Sequence, residues 1–179
     1  MFRIGPAFGT PYPDTQFPLE AKGQYFAQLV PMTDGSTTND TPKGLAALVD
    51  RIGPAIIFGH SMSGVLVLQA AEMRPDLVKV VVLLEASSCA VDAAKLKTVW
   101  AHIPVLTIWG DHIDADPGRG RQREQCQALV ASINAAGGHA SLISLPAIGI
   151  KGNGHIMIVE KNNLQIAGLV EDWLSKLPR

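Results

Sequence analysis

Three kinds of side chain in this sequence could together perform nucleophilic catalysis: a serine on a tight turn, a histidine in a glycine loop, and carboxylates at strand ends. The serine is Ser61, in Ile56-Ile57-Phe58-Gly59-His60-Ser61-Met62-Ser63-Gly64. An apolar β-branched run stops there and an apolar helix pattern begins at once, the strand–turn–helix setting of a nucleophile elbow. A serine on so sharp a turn needs small neighbours two positions away. Gly59 meets that need before it; Ser63, with Gly64 directly behind, meets it after, a mild departure from Gly-x-Ser-x-Gly. The following helix would aim its N-terminal N–H groups, Met62 first, at a tetrahedral oxyanion.

A serine hydroxyl is a poor nucleophile at neutral pH and needs a base within hydrogen-bond reach, itself oriented by a carboxylate. Of five histidines, His155 alone follows the last predicted strand, in Gly152-Asn153-Gly154-His155, where glycines let the backbone return toward the elbow. His60 lies inside the elbow and suits a structural role. His102, His112 and His139 read as surface or turn residues, and the five are too scattered for a metal site. No metal and no cofactor is expected. Three carboxylates compete for the acid. Glu85 closes the apolar run after the elbow helix, whereas Asp111 and Asp114 close the next one. Reacting groups gather at the carboxyl ends of parallel strands, so position alone leaves the choice open.

The elements that must place these residues are legible in order. Residues 1–40 are irregular and proline-rich: Pro6, Pro11, Pro13 and Pro18, followed by Pro31, are five of the twelve prolines. They read as lid or cap material with a short helix over 19–29, then a polar loop over 34–40. Thr41-Pro42 opens a helix that stops at Gly53-Pro54. The elbow strand and a buried helix over 63–73 follow, with Pro75 as the stop. Leu77 to Leu84 and Ile103 to Trp109 are continuous apolar runs, as in parallel strands covered on both faces. Between them, 91–100 has helical character. An amphipathic helix is predicted over 121–136, the last strand over 140–145 and a final helix over 164–177. Strands alternating with helices define an α/β domain with a mostly parallel sheet.

Composition narrows the classes. The chain of 179 residues has 47% apolar and 17% charged residues and a formal net charge of −1. It is one domain by length, and it lacks the basic field of a nucleic-acid binder. No apolar run approaches the ~18 residues of a membrane span, and the first residues lack the apolar core of a signal peptide. Cys89 and Cys126 suggest neither a disulfide framework nor metal-ligand spacing.

The elbow, the Leu83-Leu84-Glu85 strand end, Gly110-Asp111-His112-Ile113, Gly152-Asn153-Gly154-His155 and Asn162-Asn163-Leu164-Gln165-Ile166-Ala167 together resemble a bacterial esterase branch of the α/β-hydrolases. That family runs serine, acid, histidine along the chain. The resemblance implies a Ser61–Glu85–His155 triad, because in that branch the acid follows the strand after the elbow helix. It covers essentially the whole chain, yet nothing before Gly53 reads as the strands that precede the elbow strand in a complete fold. The chain therefore resembles the C-terminal part of the fold. The sheet is expected to begin at the elbow strand, its open edge covered by a partner chain or a second copy. The expected activity is hydrolysis of small carboxylic esters through an acyl-enzyme. The rival is a non-catalytic binding or interaction protein that keeps the turn without the second oxyanion donor.

Overall fold

The computed structural model describes residues 2–30 and 40–178. The loop predicted over 34–40 lies outside the described residues, Asp40 excepted. Four strands, β1 (Ala55–His60), β2 (Val78–Leu84), β3 (Val105–Trp109) and β4 (Ala140–Ser144), form one sheet in that order, every neighbouring pair parallel. Among the described residues, nothing before Ala55 adds a strand; the segment ahead contributes one isolated bridge between Ala7 and Thr10. Among the described residues one side of β1 is thus unpaired, as the sequence led us to expect. Ile56 and Phe58, which pair with Val80 and Val82 and so share their face, stand 44% and 53% exposed.

Alternation across β2 and β3 divides the core. Val81, Leu83, Val105 and Trp109 point to one face, where they meet Val49 of α2 (Thr41–Ile52), Val67, Leu68 and Ala71 of α3 (Ser63–Met73), and Leu129 and Ile133 of α4 (Pro117–Ala135). Val80, Val82, Leu84, Leu106 and Ile108 point to the other, covered by Met157 and by Ile166 and Val170 of α5 (Asn163–Ser175). From Val80 to Leu84 both faces of β2 are therefore dry, which is why that stretch is a continuous apolar run rather than an alternation; Lys79 alone is exposed in the strand.

The predicted elements shift in places. The helix expected over 19–29 is a 3-10 turn followed by a single short helix, α1 (Lys22–Ala27). The segment 91–100 is two short pieces, one of them a π-turn over Leu96–Trp100. Helix α4 starts at Pro117 rather than at 121: Asp116 accepts the Arg119 N–H at 3.2 Å as N-cap, with proline at the first position.

The reading of the cysteines is corrected. Cys89 and Cys126, both buried, form a disulfide that ties the loop after β2 to α4. A single pair of cysteines far apart in sequence has no spacing signature; only the packing of α4 against the sheet brings them together. The bridge closes a loop with a sequence separation of 37, which by chain entropy alone contributes about 4 kcal/mol. Reduction under native buffer should therefore lower the urea midpoint by an amount corresponding to about 2–4 kcal/mol. Equal midpoints with and without reductant would contradict this.

Candidate active site

The elbow is built by close approach. A Cβ at Gly59 would stand 2.6 Å from Val67 Cγ2 and 2.9 Å from Gly64 Cα, and one at Gly64 would stand 2.4 Å from Ala86 Cβ. Ser63, the unusual residue of the motif, closes the turn: its hydroxyl donates to the His60 carbonyl at 2.7 Å and accepts the His60 N–H at 2.8 Å. The price of the turn is a left-handed backbone at Ser61, φ +55°. This projects the hydroxyl from the carboxyl end of β1, while the Ser61 N–H is held by the Leu84 carbonyl at 3.1 Å. The Met62 N–H, at the head of α3, meets no acceptor among the described residues.

His155 is brought back to that hydroxyl by its glycine loop. Gly152 has φ +78°, and Gly154 lies so near Phe2 that a Cβ would stand 2.5 Å from the Phe2 carbonyl oxygen. That same carbonyl accepts the His155 N–H at 2.9 Å. His155 Nε2 is 2.8 Å from Ser61 Oγ, and Nδ1 is 2.8 Å from Glu85 Oε2. With an ionised carboxylate on Nδ1, the proton sits there and Nε2 offers its lone pair to the serine. His60 has the structural place expected of it, its Nε2 donating to the His155 carbonyl at 2.6 Å.

Of the three carboxylates, the structure brings Glu85 to His155. Asp111 instead accepts the backbone N–H groups of His112 at 2.7 Å and Gly152 at 3.1 Å, and Asp114 lies in the next 3-10 turn. Glu85 is completely buried and its backbone is left-handed, φ +45°. Its other oxygen accepts the Gly110 N–H at 2.8 Å and a hydrogen bond from the Arg3 guanidinium. Burial alone would push this carboxyl up, but the hydrogen bonds and charges of His155 and Arg3 outweigh it and hold the group below the usual carboxylate range.

Several contributors escaped the sequence. Arg3, buried, also donates from Nε to the Asp111 carbonyl at 2.9 Å, so it joins the ends of β2 and β3. Glu160 is buried under the histidine loop, accepting Asn153 Nδ2 at 2.6 Å and the Gly154 N–H at 2.7 Å. Burial raises its carboxyl pKa, more than these bonds lower it. Arg119 reaches in from α4, Nη2 at 3.2 Å from His155 Nε2. Arg3 and Arg119 stood in proline- and glycine-rich stretches that gave no periodic signal; the Asp116-Pro117 cap could have placed Arg119 in the first turn of a helix. Asp14, Asp111 and His112 carry ligand-type atoms within 4.8 Å of one another. Each is already engaged, His112 by stacking on Tyr12 at 3.6 Å and by bonding Asp14 at 3.1 Å, Asp111 as above.

The chain has the α/β-hydrolase fold: a parallel sheet with an elbow after one strand and its partners at the ends of the strands that follow. It superposes on the structure of a bacterial esterase with a TM-score of 0.91 and 37% identity, over 98% of this chain and 55% of that one. It is 30% identical over 193 residues to the probable secreted lipase phiG of Fungal sp. (strain ATCC 74256), over 82% of this chain and 51% of that protein. A thermophilic esterase shares the fold at a TM-score of 0.53 and 14% identity. No family model matches the chain. The chain spans about half the length of the esterase and of the lipase.

The fold disfavours the charged form of His155. Burial, above all, lowers its pKa, aided by the charges of Arg119 and His60; Glu85 opposes this but does not overcome it. Because the charged ring is disfavoured in the fold, stability present above the ordinary histidine value of about 6.5 should erode as pH falls below it. An NMR titration of the His155 ring should accordingly give a midpoint below about 6.5, and one above that would contradict the electrostatics described.

Proposed function

We propose that this domain is a serine hydrolase of carboxylic esters. The observation that carries the reading is the unbroken hydrogen-bonded line from Ser61 Oγ through the His155 ring to Glu85. Similarity to the bacterial esterase and to the secreted lipase supports the same chemistry. In the first half-reaction Ser61 Oγ attacks the ester carbonyl carbon and His155 Nε2 takes its proton. The Met62 N–H stabilises the negative oxygen of the tetrahedral species. His155 then returns the proton to the departing alcohol, leaving an acyl-serine. Water attacks that ester in turn, His155 takes its proton and returns it to Ser61 Oγ, and the acid leaves. Glu85 stays ionised throughout and holds the imidazole in the tautomer and orientation that both transfers need. No cofactor enters this sequence. The partners it requires are a small ester and water.

A neutral His155 matters for rate, because only the unprotonated Nε2 can accept the serine proton. The domain as proposed brings one oxyanion donor, Met62; a second N–H is worth about a hundredfold or more in related sites. A partner chain or second copy over the unpaired side of β1 belongs to the same proposal. The competing reading is a binding or interaction protein that performs no chemistry.

Covalent labelling and kinetics separate the two. A fluorophosphonate should label Ser61, and Ser61→Ala should abolish the label; label retained at Ser63 or elsewhere would overturn the nucleophile. Glu85→Gln should lower kcat for a simple ester by roughly four orders of magnitude, by analogy with removal of the orienting carboxylate in a related triad. Asp111→Asn, in contrast, should chiefly lower thermal stability through its lost bonds to His112 and Gly152. Loss of turnover in a stable Asp111→Asn or Asp114→Asn, with Glu85→Gln active, would move the acid to the end of β3. Absence of both labelling and turnover in the folded chain would favour the binding protein.

A further inference from the structure

Arg119 occupies a place that helix stability does not explain. It lies in the first turn of α4, where the positive end of the helix dipole opposes a cation, and Arg121 and Arg123 follow in the same end of the helix. The Asp116 cap offsets the dipole through the Arg119 backbone, not through its side chain. Among the described residues, no carboxylate forms a close ion pair with the guanidinium; Glu85 and Asp116 attract it only at longer range. Its partners are neutral: Nη1 donates to Gln122 Oε1 at 2.9 Å, and Nη2 lies 3.2 Å from His155 Nε2. It is half-buried, and desolvation is the main influence on its pKa, a downward one.

The contact with His155 cannot persist beside catalysis. Nε2 has one lone pair, and the Ser61 hydroxyl already approaches it at 2.8 Å. A guanidinium N–H competing for that lone pair is a weak, neutral-acceptor bond for a group whose fork fits carboxylates in pairs. The cation therefore stands at His155 Nε2, beside the reacting hydroxyl, with Glu85 and Asp116 acting on it only at longer range and no carboxylate in hydrogen-bond contact, free to exchange a poor partner for a better one when a substrate arrives.

We propose that Arg119 binds a carboxylate of the substrate, so that this site takes esters carrying an anionic group a few bonds from the scissile carbonyl. The inference rests on the serine hydrolase reading. It adds a specificity residue: the guanidinium clamps the free carboxylate, turns away from Nε2 as it does so, and thereby places the ester carbonyl on Ser61. A planar two-pronged donor suits this task better than a lysine, which presents a single strongly hydrated charge.

Monomethyl glutarate and dimethyl glutarate share an acyl chain and differ in one negative charge. Their hydrolysis by the full chain, followed in a pH-stat, gives a ratio of kcat/KM values in which any common effect of Arg119 on His155 cancels. Arg119→Gln should lower the monoester-to-diester ratio at least tenfold, and Arg119→Lys should restore part of it. A ratio unchanged within twofold in Arg119→Gln overturns the inference, while cleavage of dimethyl glutarate that depends on Ser61 leaves the hydrolase reading intact. If the chain cleaves neither ester, the hydrolase reading fails by itself. The anion site is then judged by titrating glutarate against the His155 ring signals. A saturable shift that Arg119→Gln weakens at least tenfold upholds the site; no shift, or one that Arg119→Gln leaves unchanged, overturns it.

Discussion

A fully buried carboxylate is the constraint on which this structure turns. An ionised group with no exposed surface is tolerable only when donors meet both of its oxygens. Glu85 finds these donors on three separate parts of the chain: the Arg3 guanidinium, the Gly110 N–H after β3, and the His155 ring after β4. Satisfying one charge thus fixes the relative positions of the chain start, two strand ends and the histidine loop. Gly110 must be glycine for this, since a Cβ there would stand 2.9 Å from Glu85 Oε1 and 2.5 Å from the Asn153 carbonyl oxygen. The group that orients the imidazole is therefore also the group that organises the top of the sheet; of the Arg3 guanidinium that holds it, Nη1 is buried without a hydrogen-bond partner among the described residues.

The same end of the molecule holds its unusual backbone. Among the described residues, Ser61, Glu85, Arg3 and His112 are the non-glycine residues with left-handed φ, between +45° and +56°. Two of them are hydrogen-bonded members of the Ser61–His155–Glu85 line, Arg3 holds Glu85, and His112 follows Asp111 in the turn that Arg3 also touches. Strain of this kind survives where surrounding contacts over-determine the conformation. Here the dry strands below and the N-terminal segment above supply those contacts, with Phe2 stacked on His155 at 6.3 Å.

What the sequence made legible follows from the range of each interaction. Continuous apolar runs marked β2 and β3 because both their faces are covered, and small residues around Ser61 marked the elbow because a turn is a local event. His155 stood out through the glycines before it. Glu85 could not be separated from Asp111 by position, since both close buried strands; what separates them is the direction from which His155 returns. Arg3 is 82 residues from its partner Glu85, Arg119 is 36 from His155, and the cysteines are 37 apart. Pairs at such distances leave no periodicity and no spacing rule. The start of α4 was different: Asp116-Pro117 is a local capping signal, passed over because glycines and arginines follow it rather than apolar residues.

The bond between Cys89 and Cys126 also changes what a broken backbone would mean. The chain between them includes an exposed turn around Asp92. A protease that cut there would leave two polypeptides still joined by sulfur, with Glu85 on one and His155 on the other. Topologically, the two pieces would remain a single molecule until a reductant parted them. Limited digestion would then be visible as two bands on a reducing gel and one on a non-reducing gel.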